Sequence, residues 1–128
     1  MPLRDMLRVL VVDDMSTSRG ILLQALDTLG IGNVSYAENG RTGMLHAREK
    51  VPHLVLSDLY MPELNGLQLL QHLRAEPLTQ KVGFILIPGR GDATVIETGQ
   101  RLGMNNFLTK PFTAAQLKSC IEAVVGRL

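Results

Sequence analysis

The sequence has a single cysteine, almost no net charge and no long apolar run, and each shortage excludes something. A lone Cys120 cannot build a disulfide framework or a Cys-rich zinc site, and it suits a reducing compartment. With 13 Lys and Arg against 12 Asp and Glu the formal charge is +1. The basic residues are scattered, so the phosphate-neutralising stripe of a nucleic-acid binder is missing. Apolar stretches such as Val9-Leu10-Val11-Val12 fall far below the roughly 18 residues that span a bilayer. Met1 to Asp5 is too short and polar for a signal peptide and reads as a short leader. No internal repeat, low-complexity segment or linker is evident. The expectation is one soluble, cytoplasmic domain over residues 1–128, with no output domain. A chain of this length buries about two-thirds of the surface its unfolded form exposes, enough to fold without staples.

What is present alternates. Arg8-Val9-Leu10-Val11-Val12 is a β-branched run that stops abruptly at Asp13-Asp14, as a strand buried on both faces does. Further short runs at Asn33 to Ala37, Leu54 to Leu56, Phe84 to Ile87 and Phe107-Leu108 read as strands. Between them, Ile21, Leu22, Ala25, Leu26 and Leu29 recur at helical spacing up to Gly30, a good residue to follow a helix. Helices are also predicted over residues 41–49, 66–75 and 93–102. The last helix is predicted from Thr113, where Thr113-Ala114-Ala115-Gln116 is a capping box and Phe112 can staple onto Leu117, with Leu117, Ile121, Val124, Val125 and Leu128 forming its apolar stripe. Five strand-helix repeats imply a doubly wound α/β fold, a parallel sheet covered by helices on both faces. In such sheets ligands bind beyond the carboxyl ends of the strands, at the topological switch point.

The residues at that edge are Asp13-Asp14, Ser57-Asp58, Pro88-Gly89-Arg90-Gly91 and Thr109-Lys110-Pro111. Two carboxylates ~4 Å apart repel by about 4 kcal/mol at an effective dielectric near 20, so the cluster calls for shifted protonation or a cation. All-oxygen ligands of this kind suit Mg2+. A carboxylate beside that ion can act as a nucleophile towards a phosphoryl group, with Lys110 balancing the arriving charge.

These residues together resemble the receiver domains of two-component response regulators, and within them the stand-alone, CheY-like type. The resemblance runs over the whole chain and rests on Val11-Val12-Asp13-Asp14, Ser57-Asp58-Leu59-Tyr60-Met61-Pro62 with Asn65-Gly66, Gly103, and Lys110-Pro111-Phe112. It implies a flavodoxin-like (βα)5 sheet of order 2-1-3-4-5. It further implies that Asp58 accepts the phosphoryl group, that Asp14, Asp58 and the Tyr60 carbonyl ligate Mg2+ with Asp13 acting through water, and that Lys110 contacts the phosphoryl oxygens. A cis Lys110-Pro111 peptide is frequent in the family. The donor would be a histidine kinase or phosphotransfer protein, and the chain, though not an enzyme in the classical sense, would catalyse its own phosphorylation and dephosphorylation. A monomer would signal to a target protein, a motor switch, kinase or phosphatase, through its fourth helix (93–102), fifth strand and fifth helix. Chemotaxis, a phosphorelay and a phosphate sink all fit.

The sequence departs from the family at three places. Pro88 occupies the position after the fourth strand where receivers carry a switching Thr or Ser, and proline has neither hydroxyl nor N–H. Gly89 and Gly91 leave the next backbone free, so the Gly89 N–H can reach a phosphoryl group with Arg90 supplying charge. Phe107, at the second switch position, packs inward but lacks a hydroxyl. Tyr60, two residues past Asp58, stands where side chains tune attack of water on the acyl phosphate. The competing reading is a phosphorylation-independent interaction module whose switch is lost at Pro88. A true phosphatase fits less well, since Tyr60 replaces the second acid such enzymes carry. Asp13-Asp14 alone could be a turn with a helix cap. His46, His53 and His72 share no metal-ligand spacing, and Gly89-Arg90-Gly91 lacks the third glycine of a dinucleotide fingerprint.

Overall fold

The computed structural model describes residues 2–128. Five parallel strands, β1 (Val9–Val12), β2 (Val34–Ala37), β3 (Leu54–Asp58), β4 (Gly83–Ile87) and β5 (Asn106–Phe107), form one sheet of order β2-β1-β3-β4-β5. Six helices accompany them: α1 (Leu3–Met6), α2 (Ser16–Thr28), α3 (Gly40–Glu49), α4 (Gly66–Ala75), α5 (Ala93–Leu102) and α6 (Ala114–Val125). The doubly wound fold is thus present, with one short helix more than the five anticipated. Within the segment read as a leader, α1 starts at Leu3; it buries none of its own residues, although Leu7 just beyond is buried.

The apolar runs are continuous because successive side chains of each central strand enter different cores. Leu10, Val12, Val55, Phe84 and Leu86 pack with Met44 and Ala47 of α3, Leu69, Leu70 and Leu73 of α4, and the partly buried Val95 and Ile96 of α5. Val9, Val11, Leu54, Leu56, Ile85 and Ile87 pack on the opposite face with Leu22 and Leu26 of α2 and Leu117 and Ile121 of α6. The period-2 geometry of a strand turns one apolar stretch into two cores.

Helix ends follow the local chemistry. Gly30 takes a left-handed conformation just past α2. Thr113 is the N-cap of α6, with both hydrogen bonds of the capping box formed, so the helix proper begins one residue later than predicted; Phe112 packs against the cluster that contains Leu117. The strand predicted at 107–108 is shifted by one residue, to Asn106–Phe107. Asn106 donates to the Cys120 carbonyl at 3.2 Å, tying this short strand to α6. Cys120 is buried, and desolvation pushes its thiol up to about 11, so it is a packing residue rather than a nucleophile.

Gly20 lies on the exposed side of α2, with open space where a Cβ would stand. Gly20→Ala is expected to stabilise the fold by about 0.5–1 kcal/mol. The check is a higher denaturant midpoint at an unchanged slope.

Candidate functional site

Between β1 and β3 the winding reverses, and both strands end in carboxylates at that point. In the register, Val12 faces Ser57, so Asp13 and Asp58 leave the sheet side by side at the switch point. Asp13 is 0% exposed and Asp58 8%, while Asp14 is more open to solvent. One ligand oxygen from each of the three lies within 4.8 Å of the others, and among the described residues this is the group that could hold a metal ion. The histidines take no part in it. The His53 Nδ1 accepts the Arg8 N–H at 2.9 Å, and the His46 Nδ1 is buried without a partner.

Lys110 reaches the cluster from the far end of the chain. The Lys110-Pro111 peptide is cis, and the Lys110 N–H donates to the Pro88 carbonyl at 3.0 Å. The Lys110 Nζ lies 3.2 Å from Asp58 Oδ1 and 3.7 Å from Asp13 Oδ2. Asp58 Oδ1 also accepts the Leu59 N–H at 2.9 Å, and the Ser57 hydroxyl donates to the Asp58 carbonyl at 2.8 Å. Asp13 Oδ1 closes a turn by accepting the Met15 N–H at 3.0 Å. The turn reading of Asp13 therefore holds for one of its oxygens, while the other faces the cluster. Desolvation raises the pKa of Asp58 from its ordinary value; Lys110 opposes that rise and the Asp13 charge adds to it.

Two features escaped sequence reasoning. Ser18, in the first turn of α2, donates from its hydroxyl to Asp13 Oδ2 and accepts from the Lys110 Nζ at 2.8 Å. The available signal was its place one helical turn past the Asp-rich strand end. Arg19, its neighbour, donates to the Asp13 carbonyl at 3.0 Å and lies 4.8 Å above the Tyr36 ring, which fixes the start of α2 against β2.

The anticipated switch residues divide. Phe107 is partly buried against the core that includes Val95 and Ile96 of α5. Pro88 is buried and holds Lys110 through its carbonyl. Gly89 and Arg90 are exposed, and Tyr60, two residues past Asp58, is 75% exposed.

Residues 9–122 match the family described as response regulator receiver domain. The chain belongs to that family. This receiver is 41% identical to a probable chemotaxis protein CheY of Rhizobium etli over 128 residues, 100% of this chain and 99% of the relative. It is 36% identical to chemotaxis protein CheY1 of Helicobacter pylori over 125 residues, 94% of this chain and 98% of the relative. Among solved structures, the receiver domain of a Pseudomonas aeruginosa sensor histidine kinase, described with a magnesium ion coordinated in its active site cleft, superposes with a TM-score of 0.85. That match covers 94% of this chain and 98% of the other at 24% identity, so it speaks for the receiver fold. No helix among the described residues is long and apolar enough to cross a membrane.

Proposed function

We propose that this receiver accepts a phosphoryl group on Asp58 in a Mg2+-dependent reaction and signals by contact with another protein. One observation carries the reading: a buried carboxylate at the end of β3 with a lysine ammonium at 3.2 Å and two more carboxylates within metal-sharing distance. Oδ1 of Asp58 is committed to Leu59 and Lys110, which leaves Oδ2 to attack phosphorus. The donor's bond to phosphorus, P–O in an acyl phosphate or P–N in a phosphohistidine, breaks as the new P–O bond forms, and the donor leaves as a carboxylate or as imidazole respectively. Lys110 neutralises charge on the transferred group, and burial keeps the site poor in competing water.

The donor set is all oxygen and carries three negative charges against one lysine, which fits a hard divalent cation. Asp14, Asp58 and the Tyr60 carbonyl would hold Mg2+, with Asp13 one water removed, and when bound it supplies charge neutralisation and alignment of the phosphoryl oxygens. The names of the Rhizobium and Helicobacter relatives support chemotaxis as the setting. The donor is then a histidine kinase or phosphotransfer protein, and the target binds the α5-β5-α6 face.

The test is intact mass after incubation with Mg2+ and acetyl phosphate. A single phosphoryl adduct is expected, abolished by a chelator and in Asp58→Asn. No adduct after rapid quench, with a cognate kinase failing as well, overturns the proposal. A second reading, a phosphorylation-independent interaction module, draws on Pro88, whose buried ring offers the site no hydroxyl. Equal partner binding with and without phosphoryl group on Asp58 would favour it.

A further inference from the structure

Ser57, Thr109 and Ser18 each carry a hydroxyl at this edge of the sheet, and the three are engaged differently. That of Ser57 is spent on the Asp58 carbonyl. That of Thr109 faces the loop after β4, where a Cβ on Gly91 would meet it at 3.3 Å. That of Ser18 touches two charged groups of the site at once, donating to Asp13 Oδ2 and accepting from the Lys110 Nζ at 2.8 Å. The ammonium stands 3.2 Å from Asp58 and 3.7 Å from Asp13, so the serine oxygen is its shortest contact of the three.

We propose that Ser18 is a positioning residue for phosphoryl transfer to Asp58. Its hydroxyl suspends the Lys110 ammonium between the two carboxylates and fixes the orientation of Asp13, a hydroxyl function exercised from the first turn of α2 because Pro88 cannot exercise one from the end of β4. A lysine is a point charge on a flexible stem, so its catalytic worth depends on what holds the head. Ser18 uses its donor on a carboxylate and a lone pair on an ammonium, both charge-assisted hydrogen bonds. During transfer the P–O bond to Asp58 forms as the donor bond breaks, and Ser18 neither gains nor loses a proton. The Lys110 ammonium turns from Asp58 Oδ1 towards the incoming phosphoryl oxygens while retaining its contact with Ser18. The start of α2 thereby becomes mechanically joined to the state of Asp58.

This inference rests on the proposed phosphoryl chemistry, and its test separates the two. Ser18→Ala and Ser18→Thr are compared with the parent by the rate of adduct growth from acetyl phosphate at saturating Mg2+. The alanine variant is expected to be slower by about tenfold, and the threonine variant, which restores the hydroxyl, to recover most of the rate. Melting temperatures of both should stay near that of the parent. In the metal-free, unphosphorylated protein, the 15N ammonium resonance of Lys110, assigned by its loss in Lys110→Arg, is expected to be protected from exchange in the parent and in Ser18→Thr, and to broaden away in Ser18→Ala. An alanine variant as fast as the parent overturns the inference, as does a threonine variant as slow as alanine. If the parent itself forms no adduct, the phosphoryl reading fails, and a protected Lys110 signal in Ser18→Ala then removes the tether as well.

Discussion

Asp58→Asn is expected to take up no phosphoryl group and, in the absence of divalent metal, to melt above the parent protein at neutral pH. The second half of that result follows from the balance of forces on the carboxylate. Burial favours its protonated form most strongly, Lys110 opposes this, and Asp13 reinforces it, leaving the pKa raised. A carboxyl group whose folded pKa lies above its unfolded value contributes stability that is fully present below the unfolded pKa and is lost as pH rises through the folded one. At neutral pH the ionised Asp58 is therefore a cost.

Asparagine removes the charge and keeps an oxygen for the Leu59 N–H. Lys110, itself only partly buried, still has Ser18 and Asp13. The expected result is a higher melting temperature for the variant. The advantage should shrink as pH is lowered through the range where Asp58 takes up its proton. Mg2+ should shrink it too, because a ligand at 100 times its Kd adds about 2.7 kcal/mol to whichever protein binds it, and the parent offers one more carboxylate. Thermal melts across pH, with and without Mg2+, check both. A metal-free Asp58→Asn that melts below the parent at neutral pH contradicts the account.

Gly66→Ala is the most damaging single methyl group that the site admits. A Cβ at Gly66 would lie 2.9 Å from Leu86 Cδ1 and in direct collision with the Asp58 carbonyl oxygen. The Gly66 N–H donates to the Leu59 carbonyl at 2.8 Å, so the first turn of α4 is held against the end of β3 with no slack. Leu86 can rotate, whereas the Asp58 carbonyl belongs to a strand paired on both sides. Relief must come from displacing α4, which carries Leu69, Leu70 and Leu73 into the core. The expected loss is about 2–4 kcal/mol, opposite in sign to the gain at the unobstructed Gly20. Because the segment between Asp58 and α4 includes Tyr60, whose carbonyl is a proposed Mg2+ ligand, phosphoryl uptake by the surviving folded fraction should fall as well. Denaturant melts of the two alanine variants side by side test the contrast, and equal stabilities would contradict it.

The carboxylates were legible in the sequence because each stands at or directly after the end of a buried strand, where a charge is conspicuous, whereas Lys110, three residues past the short, half-buried β5, was legible through the Lys110-Pro111-Phe112 resemblance. The helices at 66–75 and 93–102 were placed at their observed ends although their apolar spacing is less tidy, and the side-chain caps Asn65 and Asp92 that fix their starts are visible in the structure. The first helix was missed for the opposite reason: Leu3–Met6 has no capping side chain and buries nothing. Ser18 was missed because a serine at the start of a helix is ordinary, and only the fold brings it to Lys110. Pro88 was visible as an anomaly, yet its structural task, accepting the Lys110 N–H, lies in the backbone, which side-chain reasoning does not see.

The Ser18 to Lys110 hydrogen bond joins residues 92 positions apart, and the Lys110 to Asp58 contact joins residues 52 apart. Contacts of such separation are won late, after the entropy of closing the intervening chain has been paid. Asp13 and Asp58 follow or end β1 and β3, well before the lysine in the chain. In a molecule with its last strand frayed, the same carboxylates face each other without a counter-charge. On the proposed chemistry, taking up a phosphoryl group therefore requires that segments far apart in the chain, around Asp13, Asp58 and Lys110, be folded together.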